Sequence, residues 1–186
     1  MANIFERAKD AVVGVVKGAG DIVNSVRSTV TDIVVSTLKE AGEITGTALG
    51  VVSDAVRGAL RGAKDAGTEA ADSAKAIVGG AVEAVGQVGG DVVTGAKNAV
   101  RGAIQGAAEV GGDVVGSAVA AVEGAVETAG KLGQDVGAVA KGAAESAIET
   151  AGDVASGSVD AVKKGLRSAA ALPRDVIESV VGKGDS

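Results

Sequence analysis

The side chains of this chain that could do acid–base or nucleophilic chemistry are carboxylates, hydroxyls and amines. Glu145 and Glu149 are four residues apart, so on a helix they would form a carboxylate pair, and Ser–Lys pairs can also be drawn. Charges at this spacing more commonly form solvated i,i+4 ion pairs, as we expect for Arg61 and Asp65. We therefore predict that the chain is not an enzyme and has no catalytic residue.

Metal and cofactor sites are not predicted either. The chain has no Cys and no His, so thiolate and imidazole ligands are missing. The VGGD segments are glycine-rich, but no GKS/T or GxGxxG motif follows a strand pattern, so a phosphate cradle is not predicted. We expect no cofactor and no metal.

Acidic residues recur every eleven positions through the first third of the chain, and this is its most regular feature. Eleven residues make three turns of an α-helix, so equivalent positions stay close to one line along it. Such fixed-period similarity is the signature of a repeat architecture. The acidic positions are Asp10, Asp21, Asp32, Glu43, Asp54 and Asp65.

Aliphatic residues occupy the arc of the helical wheel away from this acidic line. The pattern predicts an amphipathic helix with one broad apolar face and one charged face. The corresponding positions continue in the second half of the chain. The predicted apolar face consists of Val12, Val15, Val16, Ile22, Val23, Val26, Val30, Ile33, Val34, Leu38, Ile44, Leu49, Val52, Val56, Leu60, Val92, Val93, Ile104, Val114, Val115, Val119 and Val122.

The second half repeats as a 22-residue unit marked by Asp91, Asp113 and Asp135. Gly-Gly-Asp at 89–91 and 111–113 could stop one helix and cap the next, giving helices of about 27 Å joined by tight turns. The alternative is a continuous rod, which the unbroken acidic line favours for the first third. We predict an all-α fold without β-sheet, an extended rod or a folded-back bundle. Its predicted regions are a regular repeat helix over 1–64, an Ala/Gly-rich hinge over 65–90, a 22-residue-repeat region over 91–172, and a short terminal helix and tail over 173–186.

Glycine is abundant for a helical pattern, with 30 residues. Each glycine inside a helix costs about 1 kcal/mol relative to alanine, so packing must offset a large penalty. Small residues four positions apart allow two helix backbones to approach closely. The predicted close-packing pairs are Gly14 with Gly18, Ser25 with Thr29, Gly58 with Gly62, and Gly102 with Gly106.

The charge pattern limits the partners. The net charge of −6 is spread along the chain without a basic stripe, and aromatic residues are almost absent, so nucleic acid is not an expected partner. No uncharged run approaches the roughly 20 residues of a transmembrane helix. The apolar run at 11–16 ends at Lys17, so no cleavable signal peptide is predicted. We expect an intracellular chain peripheral to a lipid or granule surface.

The eleven-residue pattern resembles the repeats of exchangeable apolipoproteins, perilipins, synucleins and group 3 late-embryogenesis-abundant proteins. The resemblance covers residues 10 to about 167 and concerns the period alone. It implies a helix that becomes ordered on an apolar surface or against copies of itself.

Three functions follow from these features. The first is a coat on a membrane, lipid droplet or storage granule, formed by the Ala/Val/Ile face. The second is a self-assembling structural protein whose Ala/Gly-rich helices pack into bundles or filaments, with copies of itself as partners. The third is a stress protectant of the late-embryogenesis type.

Overall fold

The computed structural model describes residues 3–18 and 21–182 of the chain. Over these residues it contains nine α-helices, one short 3-10 turn and no strand, which confirms the prediction of an all-α fold. The helices are α1 (Ile4–Gly18), α2 (Ile22–Ala41), α3 (Gly46–Asp65), α4 (Ala70–Gln87), α5 (Val92–Glu109), α6 (Val114–Lys131), α7 (Val136–Val154), α8 (Val159–Ser168) and α9 (Arg174–Val181), with the 3-10 turn at Ser156–Ser158.

Four-residue turns separate most of the long helices, and local sequence explains them. After α5, Gly111 takes a left-handed conformation (φ +66°), and the N–H of Gly112 donates to the carbonyl of Ala107 at 2.8 Å. This is the Schellman arrangement, which satisfies the last carbonyls of a helix. Asp113 then caps α6 by accepting from the N–H of Gly116 at 2.8 Å. The same stop-and-start arrangement occurs around Gly89 with Asp91 and around Gly133 with Asp135.

The extended rod, including a continuous helix over the first third, is wrong. The acidic line is divided among different structural roles, because α2 ends before Glu43 and a new helix begins at Gly46. Asp21 caps α2, whereas Asp10, Asp32 and Asp54 lie within helices. The eleven-residue spacing therefore places acidic residues alternately inside a helix and at a turn, and not along one face of one helix as we had interpreted it.

The helices stack in two layers. Each helix packs most extensively against the helix two places along the chain, so α1, α3, α5, α7 and α9 form one layer and α2, α4, α6 and α8 the other. Consecutive helices pack across the interface between the layers. The aliphatic side chains meet at this interface and form one contiguous hydrophobic core built mainly from alanine and valine.

The segment 65–90, which we interpreted as a hinge, contains the end of α3, a turn at Gly67 and nearly all of α4. Residues 65–75 have no Val, Leu or Ile, but the alanines suit a helix that must lie close to its neighbours. Ala74, Ile77 and Val78 of α4 are fully buried. The small side chains thus reflect tight packing of a central helix.

Candidate functional site

The predicted apolar face lies mostly at the interface between the two layers. Its exposed members are the first two residues of α2, Ile22 (38% exposed) and Val23 (59%). The buried members are Val12, Val26, Val30, Val34, Leu38, Leu49, Val52, Val56, Leu60, Val92, Ile104 and Val122. The members that are partly buried against the core are Val15, Val16, Ile33, Ile44, Val93, Val114, Val115 and Val119.

Two predicted small-residue pairs lie where helices of the same layer approach closely. Gly58 and Gly62 of α3 face α1, and a Cβ on either would overlap the backbone carbonyl of Phe5 or Lys9. The equivalent pair on α5 is Gly102 and Gly106. A Cβ at Gly102 would overlap the backbone of Ser53 on α3, so only glycine fits this approach.

The other two predicted pairs do not serve the same purpose in the structure. A Cβ at Gly14 would meet nothing within 4 Å, because Gly14 is exposed on the first helix of its layer. The surroundings of Gly18 lie outside the described residues. In α2, the hydroxyl of Thr29 donates to the carbonyl of Ser25 at 2.8 Å, a bond within one helix. Neither α1 nor α2 has a helix two places before it, which explains why their small residues face no such neighbour.

A recurring register that we did not predict positions the close approaches. In α4 to α7, the residue eleven positions after the N-cap is small and faces the helix two places earlier: Gly80 after Glu69, Gly102 after Asp91, Gly124 after Asp113, and Ser146 after Asp135. A Cβ at Gly80 would lie 2.5 Å from the carbonyl oxygen of Arg27, and the hydroxyl of Ser146 donates to the carbonyl of Lys97 at 2.8 Å. Counting from the acidic caps of the 22-residue unit would have revealed Gly124 and Ser146.

Ion pairs on the outer surfaces also join helices two places apart. Arg57 Nε of α3 donates to Glu109 of α5 at 3.1 Å, and Lys75 Nζ of α4 lies 3.0 Å from Glu127 of α6. These pairs are partly exposed, and each contributes less than about 1 kcal/mol because solvent screens them.

Arg27 makes the longest of these connections. Its Nε donates to Glu83 of α4 at 3.0 Å, and its Nη2 donates to the hydroxyl of Thr128 on α6 at 3.2 Å. A Cβ at Gly79 would lie 2.9 Å from Arg27 Nη1, so this glycine leaves room for the guanidinium to pass over α4. One side chain thereby links three successive helices of one layer.

Two carboxyl groups have lowered pKa values. The pKa of Glu127 is lowered to about 2, chiefly by a hydrogen bond from Lys131 at 2.7 Å and also by one from Lys75. The hydroxyl of Thr94 donates to Asp91 at 2.8 Å and lowers the pKa of this N-cap carboxyl. Both carboxylates are therefore charged near neutral pH. Glu127 pairs α6 with α4, and Asp91 caps the start of α5.

Glu145 and Glu149 lie exposed on α7. Among the residues that the structure describes, no three Asp or Glu side chains lie close enough together to hold a metal ion. No helix in the described ranges is both long enough and apolar enough to cross a bilayer.

Two layers of helices, in which each helix packs against the helices one and two places along the chain, define a helical repeat protein. A crystal structure of a de novo designed helical repeat protein, DHR7, is similar to this chain, with a TM-score of 0.50 and 20% sequence identity, over 97% of this chain and 95% of that one. This likeness concerns the fold alone. No protein-family model and no curated protein matches the sequence.

Proposed function

We propose that this chain is a non-enzymatic structural protein, a helical repeat scaffold that buries its own apolar face. The observation that carries the proposal is the burial of the aliphatic face within a single chain: Val12, Val34 and Leu60 have no exposed surface. A chain that covers its own apolar face needs no lipid and no second copy in order to fold. Its outer surfaces are charged and are held together by ion pairs between neighbouring helices.

The outer faces at the two ends of the stack carry exposed charged residues. Asp32 of α2 lies eleven residues after the N-cap Asp21, where α4 has Gly80 against another helix, and Asp32 is exposed. A buried, unpaired carboxylate is costly, so Asp32 disfavours close packing of another apolar helix face at this position. At the other end the short α9 exposes Asp175 and Glu178. Polar outer faces are what terminal repeats need to remain soluble. We therefore favour a single-chain scaffold over a filament formed by end-to-end packing.

The test of the scaffold is far-UV circular dichroism with light scattering in lipid-free buffer. We expect strong helicity at the mass of one chain, 17.7 kDa. Strong helicity only in particles of many chains would favour self-assembly instead. Low helicity that does not respond to lipid would favour the stress-protectant function.

A lipid coat is the second candidate function, and the exposure of Ile22 and Val23 favours it. These side chains, with Val26 and Ala76, line an apolar groove between α2 and α4. Coating by the whole face would require the two layers to separate, because its other large members are buried or packed against the core. The eleven-residue period gives each separated helix an apolar stripe suited to an interface.

Paired substitutions separate the two functions. Val12→Asp with Val34→Asp buries two charges and should unfold the scaffold in buffer, whereas Val23→Asp, at an exposed position, should leave its helicity unchanged. Flotation with neutral lipid vesicles then tests the coat. Binding of the native chain with retained helical ellipticity and exposure of the core would support coating. If the native chain does not bind the vesicles, only the scaffold function is supported.

A further inference from the structure

An open cavity of about 590 Å³ lies at the corner where α8 turns into α9. A cavity of this size suits a small molecule. It belongs to neither the interface between the layers nor the surface ion pairs. Its lining comprises Leu166, Arg167, Ser168, Ala169, Ala170, Leu172, Arg174, Ile177 and Glu178.

The polar half of this lining carries a formal charge of +1, because Arg167 and Arg174 outnumber the single carboxylate of Glu178. Within the described ranges, none of these three side chains lies within 4.0 Å of an oppositely charged group. Most other arginines of the chain do have such a partner. One added negative charge would neutralise the cavity.

Arg167 is held in place by the backbone of α9. Its Nη2 donates to the carbonyl of Gly182 at 2.9 Å and approaches that of Val181 at 3.4 Å. Its Nε is buried and has no hydrogen-bond partner among the described residues. A guanidinium beside a cavity is costly when its buried donor has neither a hydrogen-bond partner nor a counter-charge, and among the described residues Arg167 Nε has neither.

The other half of the lining is aliphatic. Leu166, Leu172 and Ile177 are nearly fully buried and form an inner wall that continues into the hydrophobic core. Ala169 and Ala170 supply the more exposed apolar surface of the cavity. Guanidinium groups recognise carboxylates with two parallel hydrogen bonds, whereas a hydrocarbon chain gains from contact with such a wall. We propose that this cavity binds a small aliphatic carboxylate, with its head at Arg174 in the field of Arg167 and its chain along the aliphatic wall.

The test is a titration of the full chain with octanoate, followed by isothermal calorimetry and by NMR of the methyl groups in the cavity. We expect one site per chain, with Arg174→Gln weakening binding about tenfold or more, which is a loss of about 1.4 kcal/mol. Lys141→Gln, which removes an exposed cation of α7 outside this cavity, should leave the affinity unchanged.

Two further ligands and one further variant test the roles of the negative charge and of the cavity. Octanol or octylammonium binding as tightly as octanoate would overturn the role of the negative charge. Arg167→Gln would release α9 and could unfold this corner, so Ala169→Leu, which fills the cavity from a partly exposed position, is the better variant. Loss of octanoate binding by Ala169→Leu at unchanged ellipticity is expected; unchanged binding would place octanoate elsewhere and refute the site.

Discussion

At Gly58 and Gly102 the backbone of another helix occupies the space that a side chain would need. Gly14 lies in a helix of the same kind but faces open space. The intrinsic cost of glycine in a helix is the same at all three positions, about 1 kcal/mol. The cost of adding a side chain therefore differs among the three positions because a neighbouring helix lies against Gly58 and Gly102 but not against Gly14.

Alanine substitution should have opposite effects at these positions. We expect Gly102→Ala to destabilise the fold by roughly 1–3 kcal/mol, because its Cβ must push α5 away from α3. Gly14→Ala should stabilise by up to about 1 kcal/mol through helix propensity. Urea denaturation of both variants measures the difference, and destabilisation by both to the same extent would refute the close approach at Gly102.

Glu127 of α6 pairs with Lys75 of α4 and with Lys131 of its own helix, and should make stability depend on pH. Its pKa is lowered in the folded state, so its contribution is complete above the unfolded-state pKa near 4.5 and is lost as the pH falls toward about 2. The side chain is 44% exposed, so we expect less than about 1 kcal/mol.

Glu127→Gln isolates this contribution. The difference in unfolding free energy between the native chain and the variant should be constant near neutral pH and shrink below about pH 4.5. Glu123→Gln, on the same helix and without an ion pair in the described structure, provides the control. A difference that grows on acidification would contradict the lowered pKa.

Helix ends are fixed by single residues in this fold. Gly111 has a φ of +66°, where a side chain costs roughly 1–2 kcal/mol. We expect Gly111→Ala to lower the unfolding free energy by about 1 kcal/mol or more, whereas Gly50→Ala in the open face of α3 should not lower it. Equal effects of the two substitutions, measured by thermal denaturation, would show that the turn after α5 is not in the left-handed conformation.

The second half of the chain was easier to predict than the first because its turns carry local chemistry. Gly-Gly-Asp contains both a left-handed stop and an N-cap, so 89–91 and 111–113 identify helix boundaries without tertiary information. At the boundary between α2 and α3 in the first half, a single Gly42 ends one helix and Thr45 caps the next, without a Gly-Gly-Asp sequence. There the eleven-residue acidic line continued across the boundary, so the helix break was not visible.

What covers an amphipathic helix could not be predicted from its pattern. Val12 and Val34 would look the same against lipid, against another copy or against the same chain, because the hydrophobic effect is not directional. The segment 65–90, which we interpreted as a hinge, shows the same difficulty. Alanine and glycine have little side-chain volume, so the segment looked unable to form a core. Ala74 and Gly80 of α4 nevertheless lie in the centre of the stack, because their small size lets the helix backbones pack closely.

At the scale of the whole molecule, each helix depends on neighbours one and two places away. Stability in such a stack is approximately a sum over adjacent units, with the terminal helices covering both ends. The small-residue register, the buried aliphatic face and the cross-helix ion pairs therefore act together to specify one folded stack.

Small-angle X-ray scattering of the purified chain in lipid-free buffer distinguishes this folded stack from a rod and from an unfolded chain. A compact stack of 186 residues should give a radius of gyration of roughly 16–20 Å, whereas an unfolded chain would give roughly 46 Å. A continuous helical rod, about 280 Å long, would give roughly 80 Å. A value near 16–20 Å at the mass of one chain is the predicted result; a value above roughly 40 Å at that mass would contradict it.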